Sequence, residues 1–189
     1  MLPSVKRRRQ GRWAAGLLAW ALAVQAPSAG ATTVTPVTVE ALTQQSDEVL
    51  VATVLRAASR WQGGVIVTDH TLRVAAVFKG AVSLQSEVVV TVAGGVVGRV
   101  AQTIAEVPVP VVGRSYVWFV QRGDGGARYL AHMTAAVVPL RVAPGEARVV
   151  AEAPEALVTA PSQGVSGVSA GPRALAFESL ARVIQGAVP

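Results

Sequence analysis

The chain has 189 residues, enough for one domain with a substantial core, and no cysteine, which excludes disulfides, a lipoprotein anchor, a thiol nucleophile and any cysteine metal site. Its formal charge of +6 invites a nucleic-acid reading, but five of the 17 basic residues (Lys6, Arg7, Arg8, Arg9 and Arg12) fall in residues 1–31, where there is no acidic residue. Residues 32–189 carry 12 basic and 11 acidic side chains, a balance of +1 that lacks the electrostatic footprint of a phosphate binder.

The front of the chain reads as an address. A basic start is followed by a 12-residue apolar run, Trp13 to Val24, then Pro27 and the small residues Ala29-Gly30-Ala31. These are the three parts of a secretory signal peptide. The run is shorter than the roughly 20 residues a membrane-spanning helix needs. We expect export and cleavage after Ala31, with no membrane anchor left on the product, which would work in the periplasm or the medium. An uncleaved anchor is one alternative. Arg7-Arg8 and Arg8-Arg9 keep a twin-arginine route open, although Gln10, Gly11 and Arg12 lack its usual apolar continuation.

Thr38 to Gln45 can form a short helix with Glu40 in its first turn. Valine dominates the chain beyond this helix, and its branched Cβ suits a pleated surface. A first strand is expected over Glu48–Ser59, apolar on both faces, and Gln62-Gly63-Gly64 turns the chain. The second, Val65–Lys79, places Leu72, Val74, Ala76 and Phe78 on one face, with a bend or bulge expected near Asp69-His70 because the strand is long. After Gly80 a third strand, Glu87–Val92, points Val88, Val90 and Val92 inward. Glycines 94, 95 and 98, then Pro108 and Pro110, make Val96–Val111 a long irregular connection.

Ser115–Arg122 is a strand with Tyr116, Trp118 and Val120 on one face and Val117 and Phe119 on the other. Gly123–Gly126 is a hairpin loop; Arg128–Met133 returns; Ala136–Val142 continues, with Pro139 suggesting an edge; Arg148–Ala151 is short. Residues 152–171 are rich in Pro, Ser and Gly and read as a flexible linker. From Pro172 to 187 an amphipathic helix carries Phe177, Leu180, Val183 and Ile184 on one side and ends near Gly186. We expect it to cover the sheet face that bears Trp118. There is no repeat of 20–50 residues.

The fold class is therefore mainly β: a small antiparallel, partly open barrel over residues 32–151 with a C-terminal helix, a β-sandwich being the alternative. The segments SDEVLVATVLRAASRW (46–61), TLRVAAVFKG (71–80), EVVVTVAGG (87–95) and VGRSYVWFV (112–120) resemble a set of uncharacterised exported bacterial proteins. More distantly they resemble the netrin-like OB-fold barrel of tissue inhibitors of metalloproteinases, over about residues 46–142. That resemblance implies a protease as partner. Those inhibitors chelate the protease zinc through an N-terminal cysteine held by disulfides. Thr32 stands at the expected new N-terminus here and cysteine is absent, so their mechanism does not transfer.

Catalytic signatures are thin. His70 and His132, the two histidines, fall short of the three protein ligands of a histidine-only catalytic zinc site. His70 shares a face with Leu72 and Val74 and reads as a barrel-rim residue; His132 reads as packed or capped. A triad assembled from Ser46, His70 and Asp124 lacks a G-x-S-x-G elbow, and Gly164-Val165-Ser166-Gly167 has the wrong spacing. Asp47 and Glu48 point apart if extended; Glu152 and Glu155 fall in the linker. Gly94-Gly95-Val96-Val97-Gly98 lacks the Lys-Ser/Thr and helix of a phosphate loop, and Lys79 is a solvated strand end. Trp61, Tyr116, Trp118 and Tyr129 form either an aromatic binding face or core. No catalytic residue, cofactor or metal site is assigned. The leading expectation is an exported, monomeric, non-enzymatic binding module for a protein, an extracellular protease among the candidates. Its contacts would come from loops at one barrel end, through Gln62, Gly94, Gly95, Arg99 and Asp124. An exported enzyme and a structural envelope protein are the alternatives.

Overall fold

A computed structural model describes residues 37–105, 107–142, 149–153, 157–158 and 173–189, all within one unit, Val34–Pro189. The expected signal peptide, its cleavage site and most of the expected linker, including Glu155 and Gly164–Gly167, lie outside the described residues.

In chain order the elements are β1 (Val37–Thr38), α1 (Val39–Gln45), β2 (Glu48–Gln62), β3 (Val65–Lys79), β4 (Glu87–Ala93), β5 (Gly95–Val97), β6 (Val100–Gln102), β7 (Ser115–Arg122), β8 (Arg128–Leu130), β9 (Val137–Val142), β10 (Val149–Ala153), β11 (Leu157–Val158), β12 (Arg173–Ala176) and α2 (Phe177–Ala187). Thr38 caps α1, its Oγ1 accepting from the Ala41 amide at 3.1 Å. At the other end of α1, Lys79 Nζ donates to the carbonyls of Thr43 and Gln44, at 2.9 and 3.2 Å. Lys79 is thus a helix cap, not a solvated strand end, because a cation is stabilised where carbonyls lack intrahelical partners.

The main sheet has eight strands in the order β12-β10-β9-β7-β2-β3-β4-β8, and β8 also pairs back with β7. β7, β2, β3, β4 and β8 thereby form a ring that is only partly closed and not the expected barrel, because β4 and β8 meet at one residue pair, Thr91 opposite Tyr129. That contact is parallel, so the sheet is mixed and not wholly antiparallel as expected. Curling is concentrated between β2 and β3, where the register slips at Val49/Leu50, Val51/Ala52 and Val54/Arg56. Bulges bend a strand and increase its twist. Of the bend or bulge expected near Asp69-His70, the structure shows a slip at Val54/Arg56, opposite Leu72 and Thr71, with the extra residue on β2; Asp69 and His70 themselves keep regular partners, Ala58 and Ala57.

Alternation divides the core in two. Leu50, Leu72, Val74, Val90 and Trp118 pack inside the curl, where the Trp118 indole N–H donates to the Ala52 carbonyl at 3.3 Å. Val49, Val117 and Phe119, one residue out of phase, pack outside against Leu42 of α1 and Leu180 and Ile184 of α2. The C-terminal helix therefore covers the Phe119 face and not the Trp118 face. The concave side is already filled by β3 and β4 side chains, which leaves the convex apolar stripe for a helix to bury.

Three further expectations are corrected. Residues 173–176 are a strand paired with β10, so α2 begins at Phe177 rather than Pro172. Glu152 belongs to β10 and pairs with Arg141 at 2.8 Å rather than lying in a linker. Pro139 is not on an edge strand: β9 lies between β7 and β10. It sits where pairing with β7 ends and just before pairing with β10 begins at Leu140, so its missing N–H breaks neither ladder.

Candidate functional site

One cleft stands out, a cavity of about 320 Å³ between the far ends of β2–β4 and the connection that follows β4. Its floor is a row of paired residues sharing one face: Ala57 with His70 and Ser59 with Thr68. Its roof is Val96, Gln102, Ile104 and the Val107–Pro110 stretch. Val96–Val111 was expected to be irregular throughout, yet β5 and β6 form an antiparallel ribbon turning at Gly98-Arg99. Val-Val-Gly-Arg-Val-Ala carries the signal of a two-residue hairpin with glycine first.

Hydroxyl groups anchor the ribbon to the floor. Ser59 Oγ and Thr68 Oγ1 are 2.9 Å apart, Thr68 donates to the Gly94 carbonyl at 2.7 Å, and the Val96 amide donates to Ser59 Oγ at 3.3 Å. The Ile66 amide donates to Gln102 Oε1 at 2.6 Å. Gly95 is where the two layers touch: with φ of +136°, an added Cβ would stand 2.2 Å from Thr68 Oγ1 and 2.5 Å from Ser59 Oγ. Both hydroxyls are engaged in this network, so they act as struts.

His70 is 3% exposed, which corrects the barrel-rim assignment. Its ring lies 6.1 Å from that of Trp118, and its Nδ1 is buried without a hydrogen-bond partner among the described residues. Burial lowers the imidazole pKa, against an opposing pull from the Asp69 charge. Asp69 points to the other face of β3, where Arg60 Nε donates to it at 2.6 Å and Thr91 Oγ1 at 2.7 Å. Those hydrogen bonds, the Arg60 one foremost, hold its carboxyl below the ordinary range despite partial burial.

The candidate residues divide between two ends of the sheet. Gly94 and Gly95 line the cleft. Gln62 ends β2 on the same side, and Arg99 is exposed at the tip of the β5–β6 ribbon. Asp124 is exposed in the β7–β8 loop, beyond the start of β2, where Glu48 faces Val120. The three loops therefore do not gather at one end of the sheet. Ser46, His70 and Asp124 form no triad: Ser46 Oγ donates to the Leu42 carbonyl at 2.6 Å and His70 lies far along the sheet. His132 caps a local turn, accepting from the Thr134 amide at 3.4 Å. Tyr116 and Trp118 are core, in edge-on contact at 5.7 Å, whereas Trp61 is 51% exposed.

At the Asp124 end, Asp47 and Glu48 both contact Arg122, Asp47 at its backbone amide and Glu48 at its side chain. Asp47 Oδ2 accepts from the Arg122 amide at 2.7 Å, while Glu48 accepts from the side chains of Arg122 and Arg128, each at 2.7 Å. Burial pushes the Glu48 carboxyl up, but the hydrogen bonds and charges of Arg128 and Arg122 outweigh it and leave the pKa lowered.

Among the described residues no helix is long and apolar enough to cross a membrane. Comparison with protein-family models gives no match. Comparison with curated proteins gives none either.

Proposed function

We propose that this chain is an exported, non-enzymatic binding module that engages a protein partner at the cleft end of its sheet. The observation that carries this reading is a rim of exposed apolar side chains around the cleft. Val96 and Val109, which line it, are 60% and 81% exposed, and Trp61 lies on the same sheet face as Ser59. Exposed apolar surface of this kind, rimmed by polar groups, marks an interaction site. Arg99 at the ribbon tip adds a cation for an acidic group on the partner.

An OB-type strand arrangement, short of a closed barrel, is part of the same reading. The ring order β2-β3-β4-β8-β7, with a parallel contact between β4 and β8, matches the strand order of an OB-fold, a partly open five-stranded barrel that binds through its loops and one face. It supports the netrin-like resemblance without its cysteine-based mechanism.

The test is affinity capture from culture supernatant and periplasm, with wild type beside Trp61→Asp/Val96→Asp. We expect a partner held by wild type and lost by the double variant. Equal retention, or no partner together with turnover on a substrate panel, refutes the proposal. Intact-mass measurement of the exported protein tests the export step: a start at Thr32 is expected, and a start at Met1 refutes cleavage.

A further inference from the structure

We propose that the outer edge of β4 at Glu87–Val89 accepts an extended segment of a partner polypeptide as an added strand. Backbone direction defines this edge. The Val74 amide donates to the Ser86 carbonyl at 3.0 Å, and at the other end of β4 the Gly94 amide donates to the Ile66 carbonyl at 2.8 Å. In an antiparallel ladder the residues that bond a given neighbour alternate. Val88, Val90 and Val92 therefore direct their N–H and C=O groups to β3, and Glu87, Val89, Thr91 and Ala93 direct theirs away. The single parallel contact, made by Thr91, agrees with that parity.

β8 occupies this edge only at Thr91, because the chain leaves the line at the Gly123–Ala127 turn, just before Arg128. Among the described residues, nothing is paired with the Glu87 or Val89 backbone on that side, and Val89 is 45% exposed. Four main-chain groups, two donors and two acceptors at strand spacing, specify their occupant: an extended peptide backbone matches them, and a side chain or small molecule does not. The line is already begun by Tyr129, so an incoming strand extends an existing pairing. Glu87 is held by Arg73 and Arg56, at 3.4 and 3.5 Å, which keeps its carboxylate on the outer face beside the slot. The site is at the opposite end of β4 from the cleft, so its fate does not depend on the cleft reading.

The probe is a displayed library of random heptapeptides selected on the full-length protein. Amide hydrogen exchange should show Val88 and Val90 protected and Val89 exchanging fast in the free protein, with at least tenfold slowing at Val89 when a selected peptide is added. Val89→Pro deletes the outward donor and no β3-facing one, and should weaken peptide binding at least tenfold while Trp61→Asp leaves it unchanged. Strong protection of Val89 in the free protein overturns the proposal. So does selection that yields no binder, or binders that leave the Val89 amide unaltered. The exchange arm uses the wild-type chain and holds even if the proline variant fails to fold.

Discussion

Arg128 Nε donates to Glu48 Oε2 at 2.7 Å across 80 residues of sequence, and this contact fastens the β7–β8 hairpin to the start of β2. Glu48 is 1% exposed and Arg128 20%, so the pair sits largely out of water; Arg122, at 47%, is screened by solvent. Gly80 lies over the same carboxylate, where an added Cβ would stand 2.8 Å from Glu48 Cγ.

Glu48→Ala leaves the shielded Arg128 without its carboxylate, and Arg128→Ala leaves the buried Glu48 with only the hydrated Arg122 as partner. Glu48→Ala or Arg128→Ala should cost about 3 kcal/mol, and Arg122→Ala no more than about 1 kcal/mol because its partner contact is hydrated. The folded carboxyl has a lowered pKa. Its contribution is therefore complete above the unfolded carboxylate value of about 4.3 and is lost as pH falls through the lower folded value. Denaturant titrations at pH 7 and pH 3 check this: the gap between wild type and Glu48→Gln should shrink in acid.

Gly95→Ala should destabilise by about 3 kcal/mol, from a blocked approach and a backbone angle that side chains avoid. Gly98, with φ of +61° and nothing within 4 Å of an added Cβ, is the control. Gly98→Ala should cost about 1 kcal/mol, the backbone term alone. Thermal melts of the two variants measure the difference.

The strands were legible because runs rich in β-branched and aromatic residues, bounded by turn residues, are a local signal, and β2, β3, β4 and β7 follow it. The placement of α2 was not. In β7 both faces are buried, Tyr116, Trp118 and Val120 inward and Val117 and Phe119 outward, so alternation identifies two faces without saying which one meets a helix. The Glu48 cluster was equally hidden. Its partners are 74 and 80 residues away, and an acid opening an apolar strand was the sole hint. Gly94 and Gly95 were singled out as loop contacts, whereas Gly95 is needed for its bare contact with Ser59 and Thr68. The β12 strand escaped because its pairing with β10 is non-local and its four residues carry no alternation.

Helix α2 should act as a cover over the outer core. Leu180 and Ile184 are fully buried there, beside Phe119 and Val117. Leu180→Ala and Ile184→Ala should each cost about 2–4 kcal/mol, and deletion of residues 172–189 should lower the melting temperature further. The emission of Trp118, on the inner face, should change little in the point variants. An unchanged melting temperature on deletion would show that the helix is not docked.

His70 makes the inner core sensitive to mild acid. Burial lowers its pKa below the unfolded value of about 6.5, so the unfolded chain binds the proton more readily. Its contribution is complete above about 6.5 and declines as pH falls from there through the lower folded value. Trp118 lies across from the ring, and the nearby charge is Asp69, on the other face of β3; Asp69 carries Arg60 as counter-charge and weakens but does not reverse the shift. His70→Phe keeps an aromatic ring against Trp118 and abolishes the titration. Melting temperatures recorded from pH 8 to pH 5 should fall more steeply for wild type than for the variant. Parallel curves would place the imidazole in contact with water and remove it from the inner core.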